Sequence, residues 1–300
     1  MSRVTSEMLK DNAQNWLFSR MRAFDEVHPD WMLYLCQIAA GIMSLDINDF
    51  INWTVIKLTI FTDDQGLLTS KQVDFLKSSL EWEPRIRPAL VESPVGNPPF
   101  SRIYPPSSAG RIRQAYILKR YELEFGCNIE ECDLIVEFGG GYGAMALLAC
   151  KYGFSGKYII IDNEPMSSLQ AWYLSENAGP VHYGTDIGEE PGIYFAGLSD
   201  YDTIETAVKN AERPIFLANW SLSETPADLR MRTMEWLARC GFQALGITYQ
   251  GHFGMDNTAF FTSEASRFLE RYELAVKPFV YGIEEDDYFS RHRMMSLTRL

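Results

Sequence analysis

Residues 134–143 read Leu-Ile-Val-Glu-Phe-Gly-Gly-Gly-Tyr-Gly, and Ala-Met-Ala-Leu-Leu-Ala-Cys follows at 144–150. Leu134-Ile135-Val136 is a short apolar run, which predicts a buried strand. Gly139, Gly141 and Gly143 allow a sharp turn and close approach of the backbone to a neighbour, because glycine adopts dihedrals that other residues avoid. The Ala/Leu-rich stretch from Tyr142 to Tyr152 predicts a helix. Strand, glycine turn and helix in immediate succession are a repeating unit of parallel α/β sheets.

The alternation continues towards the C-terminus. Strands are predicted at 157–162 (KYIIID), 181–183, 214–219 (PIFLAN) and 242–249, and helices at 165–176, 202–212, 226–240 and 258–270. Residues 272–281 and 288–300 read as two last strands joined by the acidic segment 282–287. The expected fold class is α/β: a doubly wound, seven-stranded, mostly parallel sheet that ends in a hairpin. Towards the N-terminus the pattern is helical. Met8, Leu9, Trp16, Leu17, Met21, Phe24 and Val27 recur at helical spacing. Asp30 is placed to cap a second helix, and Thr69 with Gln72 fits a capping box. Residues 49–61 fit helix and strand equally. Seven of the fourteen prolines lie between Pro84 and Pro106, which predicts an extended connection. The expected division is a helical N-terminal region over 1–106 and an α/β domain over 107–300.

The composition narrows the function. The formal charge is −13, and so acidic a surface repels phosphate backbones, so nucleic acid is not the expected partner. The five cysteines form no CxxC pair, which predicts reduced thiols in a cytoplasmic protein rather than disulfides or zinc. The most apolar run, 31–45, is too short to span a bilayer. Trp16, Trp31, Trp53 and Trp82 are expected in the core or at an interface.

Asp162 closes the second predicted strand, 19 residues after Gly143, where a carboxylate can accept both hydroxyls of a ribose. Two cofactor classes suit this frame. Gly139-x-Gly141-x-x-Ala144 satisfies the dinucleotide pattern. Glu137, two residues before the first glycine, opposes it, because a carboxylate beside a pyrophosphate is repulsive. S-adenosylmethionine has no phosphate and carries a sulfonium and an ammonium, so an acid there suits it. Expected cofactor contacts are Glu137, Gly139, Gly141, Tyr142, Gly143, Asp162, Asn163, Asn219 and Trp220, with Gly143 also packing helix on strand.

The E-x-G-x-G-x-G spacing resembles the first motif of the class I S-adenosylmethionine-dependent methyltransferases, and the terminal hairpin resembles their last two strands. The combination VEFGGGYGAMA … IIIDNEP … LANWSLSETP resembles the sugar O-methyltransferase family of bacterial polysaccharide loci, over roughly residues 107–260. Residues 1–83 add nothing to the match. The resemblance implies a hydroxyl of a sugar or glycosylated small molecule as acceptor.

Methyl transfer to a hydroxyl needs a base in reach of the acceptor oxygen. Glu224, after the fourth predicted strand, and His252, after the fifth, are the candidates, with Asp256 nearby on the acceptor side. Glu224 also fits a carboxylate ahead of the Pro226 helix. Arg102, Tyr104, Arg111 and Arg113 precede the sheet. Tyr104 and Arg113 are the acceptor-side candidates there; an arginine could hold the cofactor carboxylate or an acceptor phosphate, or belong to a solvated helix face. Nothing in the spacing of Asp186, Asp200 and Asp256 singles out a metal site. The N-terminal region is expected to lid the acceptor site, to form a homodimer interface, or both. Other readings are a methyltransferase on a non-sugar molecule, an NAD-linked oxidoreductase, and a non-catalytic methyltransferase-like scaffold.

Overall fold

The computed structural model describes residues 4–20, 27–60, 62–280 and 288–300. Met21, Phe24 and the acidic segment 282–287, all used in the sequence reading, lie outside them. Among the described residues eight strands form one sheet: β1 (Leu134–Phe138), β2 (Lys157–Ile161), β3 (Val181–His182), β4 (Gly192–Ala196), β5 (Pro214–Asn219), β6 (Ala244–Gln250), β7 (Tyr272–Pro278) and β8 (His292–Arg299). Their order is β3-β4-β2-β1-β5-β6-β8-β7. Neighbours from β3 to β6 are parallel. β8 runs antiparallel to both β6 and β7.

The helices are α1 (Ser6–Arg20), α2 (Pro29–Ser44), α3 (Thr54–Ile60), α4 (Leu67–Lys77), α5 (Arg87–Ala89), α6 (Ala109–Phe125), α7 (Ala144–Lys151), α8 (Glu164–Asn177), α9 (Tyr201–Asn210), α10 (Ala227–Cys240) and α11 (Asn257–Ala265). Alternation along each strand sorts side chains to two faces. Ile135, Ile160 and Leu217 join a buried cluster with α6, α7 and α8. Val136, Ile159, Ile161 and Phe216 join a second cluster with Ile204 of α9, Trp236 of α10 and Phe261 of α11. Helices therefore cover both faces, and the central strands read as unbroken apolar runs for that reason.

The sheet has one strand more than expected. Val181–His182 is only a two-residue edge strand, and the neighbour of β2 is β4 (Gly-Ile-Tyr-Phe-Ala), which the sequence reading passed over. Five residues after an acidic, proline-containing stretch carry too little pattern to stand out, and their burial comes from pairing with β2.

The N-terminal helices add to the first cluster. Leu9, Ala13 and Trp16 of α1, Leu35 and Ile38 of α2, and Val73 and Leu76 of α4 share it with the sheet. Phe50, fully buried, is its aromatic hub. Its ring meets Trp53, Tyr142, Trp172 and Tyr173 edge-on at 5.5–6.4 Å. Such pairs add roughly 0.5–1.5 kcal/mol each beyond the area they bury.

Three local expectations change. The side chain of His28, not Asp30, caps α2 by accepting from the Asp30 N–H. Thr69 lies inside α4, which starts at Leu67 after Gly66, and its hydroxyl accepts from the Gln65 N–H. The proline-rich segment begins as helix: Trp82–Ile86 and α5 contain Pro84 and Pro88 at early-turn positions, where a missing N–H costs little. No helix among the described residues is long and apolar enough to cross a membrane.

Candidate functional site

The alternation that buries Ile135, Ile160 and Leu217 sends Glu137, Asp162 and Asn219 to the same face, at the C-terminal ends of β1, β2 and β5. That edge is where ligands bind in open parallel sheets. Glu137 lies directly beside Leu217 in the ladder, and Asn219 is the next residue of β5 on that side.

Three glycines of the turn after β1 have φ near +71°, +54° and +93° (Gly139, Gly141, Gly143), a region that other L-residues rarely enter. Gly139 is also needed for space: a Cβ there would lie 2.2 Å from the Cβ of Ser221. The Ser221 hydroxyl donates to the Phe138 carbonyl, stitching the turn after β5 to the turn after β1. Gly143 precedes α7, and its missing Cβ makes room for Leu174 of α8. It therefore packs helix on helix, not helix on strand as expected. Tyr142 is buried within the aromatic cluster around Phe50, though it also borders the cavity.

A narrow cavity of about 110 Å³ opens over this turn, bordered by Glu137, Gly139, Gly141, Arg113, Gln114, Asn219 and Trp220. A larger cavity of about 690 Å³ adjoins it, and Trp31, Asp162, Ser221 and Glu224 line both. Asn163, Gly197, Leu198 and Asp200 border the larger one at the ends of β2 and β4, and Trp16, His28 and Trp31 border it from the N-terminal helices.

Two carboxyls at this edge are shifted by burial. Glu137 is buried and accepts a hydrogen bond from the Tyr158 hydroxyl at 2.8 Å. Burial pushes its carboxyl up to about 8, with Asp162 adding to the rise. Asp162 is raised to about 7 by burial, although the Asn163 N–H and the Gln170 amide donate to it. Gln170 also donates to the Gly141 carbonyl at 2.7 Å, so one side chain of α8 holds both the acid and the glycine turn. Both amide atoms of Asn219 and the carbonyl oxygen of Gln114 are buried without a hydrogen-bond partner. Orphaned polar groups beside a cavity are what a polar ligand satisfies. Arg113 donates to the Ile60 carbonyl at 3.2 Å, and burial lowers its guanidinium to about 10.

Glu224 ends a single turn, Ser221–Glu224, that follows β5. Its Oε2 accepts from the Trp31 indole at 2.7 Å and its Oε1 from the Gln250 amide at 2.9 Å. Burial raises its pKa, while those donors and Arg230 oppose the rise. Trp220 enters the turn with φ near +63°. Its indole donates to Nδ1 of His292 at 2.9 Å, which places the proton of a neutral His292 on Nε2.

The other candidates separate. His252 is exposed, lines neither cavity and forms a β-bridge with Asp256. Asp256 is exposed and caps α11 through the Ala259 N–H. Tyr104 packs edge-on against Trp82 and lines neither cavity. The loop after β6 is tied to the Gln250 carbonyl by Asn257, and its Phe253 packs on His28 at the rim of the larger cavity. Arg111 is buried against Glu92, so neither it nor Arg113 belongs to a solvated helix face. Trp31, expected in the core or at an interface, borders both cavities. Gln114, Gln170, Ser221 and Gln250 were not singled out in the sequence. Gln170 interrupts an apolar stretch of α8 and Gln250 ends that of β6, whereas Gln114 sits among arginines in α6 and Ser221 in the turn after β5.

The sequence matches no protein-family model and no curated protein. Among solved structures, magnesium protoporphyrin IX methyltransferase from Synechocystis PCC 6803, crystallised with S-adenosylmethionine, aligns at TM-score 0.43 and 12% identity over 86% of this chain and 99% of its own. The methyltransferase domain of a bacterial Hen1 aligns at 0.42 and 12% over 60% and 99%. A Streptococcus mutans protein assigned as a SAM-dependent methyltransferase aligns at 0.38 and 11%, and the chain spans 44% of its length. At that level of likeness the reading of the site rests on its own side chains.

Proposed function

We propose that the protein is an S-adenosylmethionine-dependent O-methyltransferase that acts on a hydroxyl of a sugar or glycosylated small molecule. The observation that carries this reading is one constellation. Two carboxyls, the buried Glu137 and the half-buried Asp162, lie on one face of the sheet edge, with the unsatisfied amide of Asn219 on that same face. A cationic ligand relieves the burial cost of both acids, whereas a pyrophosphate at the same turn adds repulsion.

When bound, S-adenosylmethionine supplies an electrophilic methyl group. In this reading Asp162 accepts from the ribose hydroxyls, while Asn163, Leu198 and Asp200 border the base. Glu137, Asn219 and Gln114 meet the ammonium end, and Arg113 the carboxylate. The large cavity takes the acceptor beside the Trp31–Glu224 pair that lines it, and Glu224 receives the hydroxyl proton. The N-terminal region, over residues 1–106, walls this cavity and excludes water. Among the described residues that line it there is no lysine or arginine and there are five carboxylates, Asp162, Glu164, Asp186, Asp200 and Glu224. That lining supports an acceptor without phosphate, as does the resemblance of Asn219–Pro226 to sugar methyltransferases.

The test is transfer of labelled methyl from S-adenosylmethionine to a panel of neutral sugars, glycosides, nucleotide sugars and non-sugar alcohols. Label on a neutral sugar or glycoside, lost in Glu224→Gln, supports the reading. Label only on non-sugar acceptors removes the sugar assignment. Cofactor binding with no label on any acceptor removes the catalytic one.

A further inference from the structure

Glu224 sits at the end of a turn, and turns do not by themselves hold a carboxylate still. Behind this turn lies Arg230 of α10, one of the largest fully buried side chains of the protein. Its Nε donates to the Leu222 carbonyl at 3.1 Å, and its Nη2 donates to the Ser223 and Thr225 carbonyls at 2.6 and 2.7 Å. Its Nη1 donates to the Asn257 side chain. One guanidinium therefore grips the backbone on both sides of Glu224, using the planar fork that a lysine lacks.

The grip is relayed to the carboxylate. The Ser223 hydroxyl lies 2.6 Å from both the Trp220 carbonyl and Oε1 of Gln250, linking the turn to that amide. The NH₂ end of the same amide donates to Oε1 of Glu224 at 2.9 Å. Asn257 closes the ring by donating to the Gln250 carbonyl at 2.9 Å. A ring in which each donor has its acceptor leaves Glu224 one orientation, with its other oxygen on Trp31.

We infer that Arg230 is a positioning residue, which fixes the Ser221–Thr225 turn and, through Ser223 and Gln250, sets the direction in which the Glu224 carboxylate faces the acceptor cavity. The inference rests on the reading of Glu224 as the proton acceptor. It assigns Arg230 no contact with cofactor or acceptor, since it lines neither cavity. The buried positive charge also favours the ionised form of Glu224.

The Trp31 indole N–H, bonded to Glu224, is a built-in reporter. Its resonance, assigned with Trp31→Phe, is followed against pH in the full-length protein saturated with S-adenosylhomocysteine. The other titratable groups lining the same cavities, among them Asp162, Glu137, His28 and His292, are identical in every variant. In Arg230→Met the midpoint should rise by about one pH unit and the line should broaden, while the affinity for S-adenosylhomocysteine changes less than twofold. An unchanged midpoint and linewidth would overturn the inference. Should Arg230→Met not fold, Gln250→Met cuts the relay and leaves the arginine grip intact. The same shift is then expected, and its absence overturns the inference equally. If wild-type protein fails to bind S-adenosylhomocysteine, the cofactor reading falls while the Trp31 titration still reports on Arg230.

Discussion

The Trp31 indole donates to Glu224 across 2.7 Å, joining the second helix of the N-terminal region to the turn that follows β5. The large cavity is bordered by both residues, so the N-terminal helices contribute a wall of the site itself. Glu224→Gln keeps the size, but its one amide oxygen can accept from only one of the two donors, Trp31 and Gln250, and it cannot take a proton. Methyl transfer should fall by about 10²–10⁴-fold, with the dissociation constant for S-adenosylhomocysteine unchanged. Paired rate and calorimetric measurements check this; near-native turnover would remove Glu224 from the chemistry.

His252→Ala tests whether the loop after β6 takes part in the reaction. Because His252 is exposed and lines neither cavity, turnover and cofactor affinity should both stay within about twofold of wild type, since surface changes usually move free energies by less than ~0.5 kcal/mol. A large loss of turnover in a steady-state assay would return His252 to the site.

Cofactor affinity should depend on pH. Asp162 titrates at about 7 and Glu137 at about 8 without ligand. A cation prefers both ionised, so binding releases protons near neutrality, and affinity rises from pH 6 until both groups are charged. Calorimetry at pH 7 in two buffers of different ionisation enthalpy reads the proton count directly. A heat independent of buffer would mean that neither acid is coupled to the ligand.

The same shift sets the stability of the free protein. The Glu137 carboxyl moves from an ordinary value of 4.5 to about 8 on folding. The folded state thus holds this proton more tightly than the unfolded chain. The contribution to stability is present below about pH 4.5, declines as pH rises, and is lost above about 8. Glu137→Gln removes the titration. Its melting temperature relative to wild type should climb between pH 5 and 8 and then level off, while cofactor affinity drops. A difference in melting temperature that is flat with pH would contradict the assignment.

Phe50→Ala should cost about 3–5 kcal/mol, because it empties the aromatic hub that ties the N-terminal segment to Tyr142 and α8. Denaturant unfolding measures it. A loss under 1 kcal/mol would show that Phe50 is not the hub.

The sequence was most readable where pattern and chemistry coincide. β5 spans the expected Pro214–Asn219, and the Gly139–Gly143 turn sits between a strand and a helix as read. Glu137, Asp162 and Asn219 meet because two-residue periodicity is a property of any strand. What could not be read depended on tertiary partners. β4 is a strand through its ladder with β2, and β3 is a two-residue edge strand beside β4. His252 follows a strand end, as Glu224 does, but its side chain is exposed, which its place after the strand does not reveal. Gln170 and Gln250 declare their roles only once the acids they hold are in place. Trp31 read as core or interface because nothing nearby in sequence marks it, and its N–H partner lies 193 residues away.

The account depends on one ligand at one turn, and calorimetric titration of purified protein with S-adenosylmethionine, S-adenosylhomocysteine and NADH addresses it most directly. Saturable binding of both sulfur compounds, weakened at least tenfold by Asp162→Asn, with no heat from NADH, is the predicted result. Binding of NADH in their place, or no binding of either sulfur compound, would contradict it.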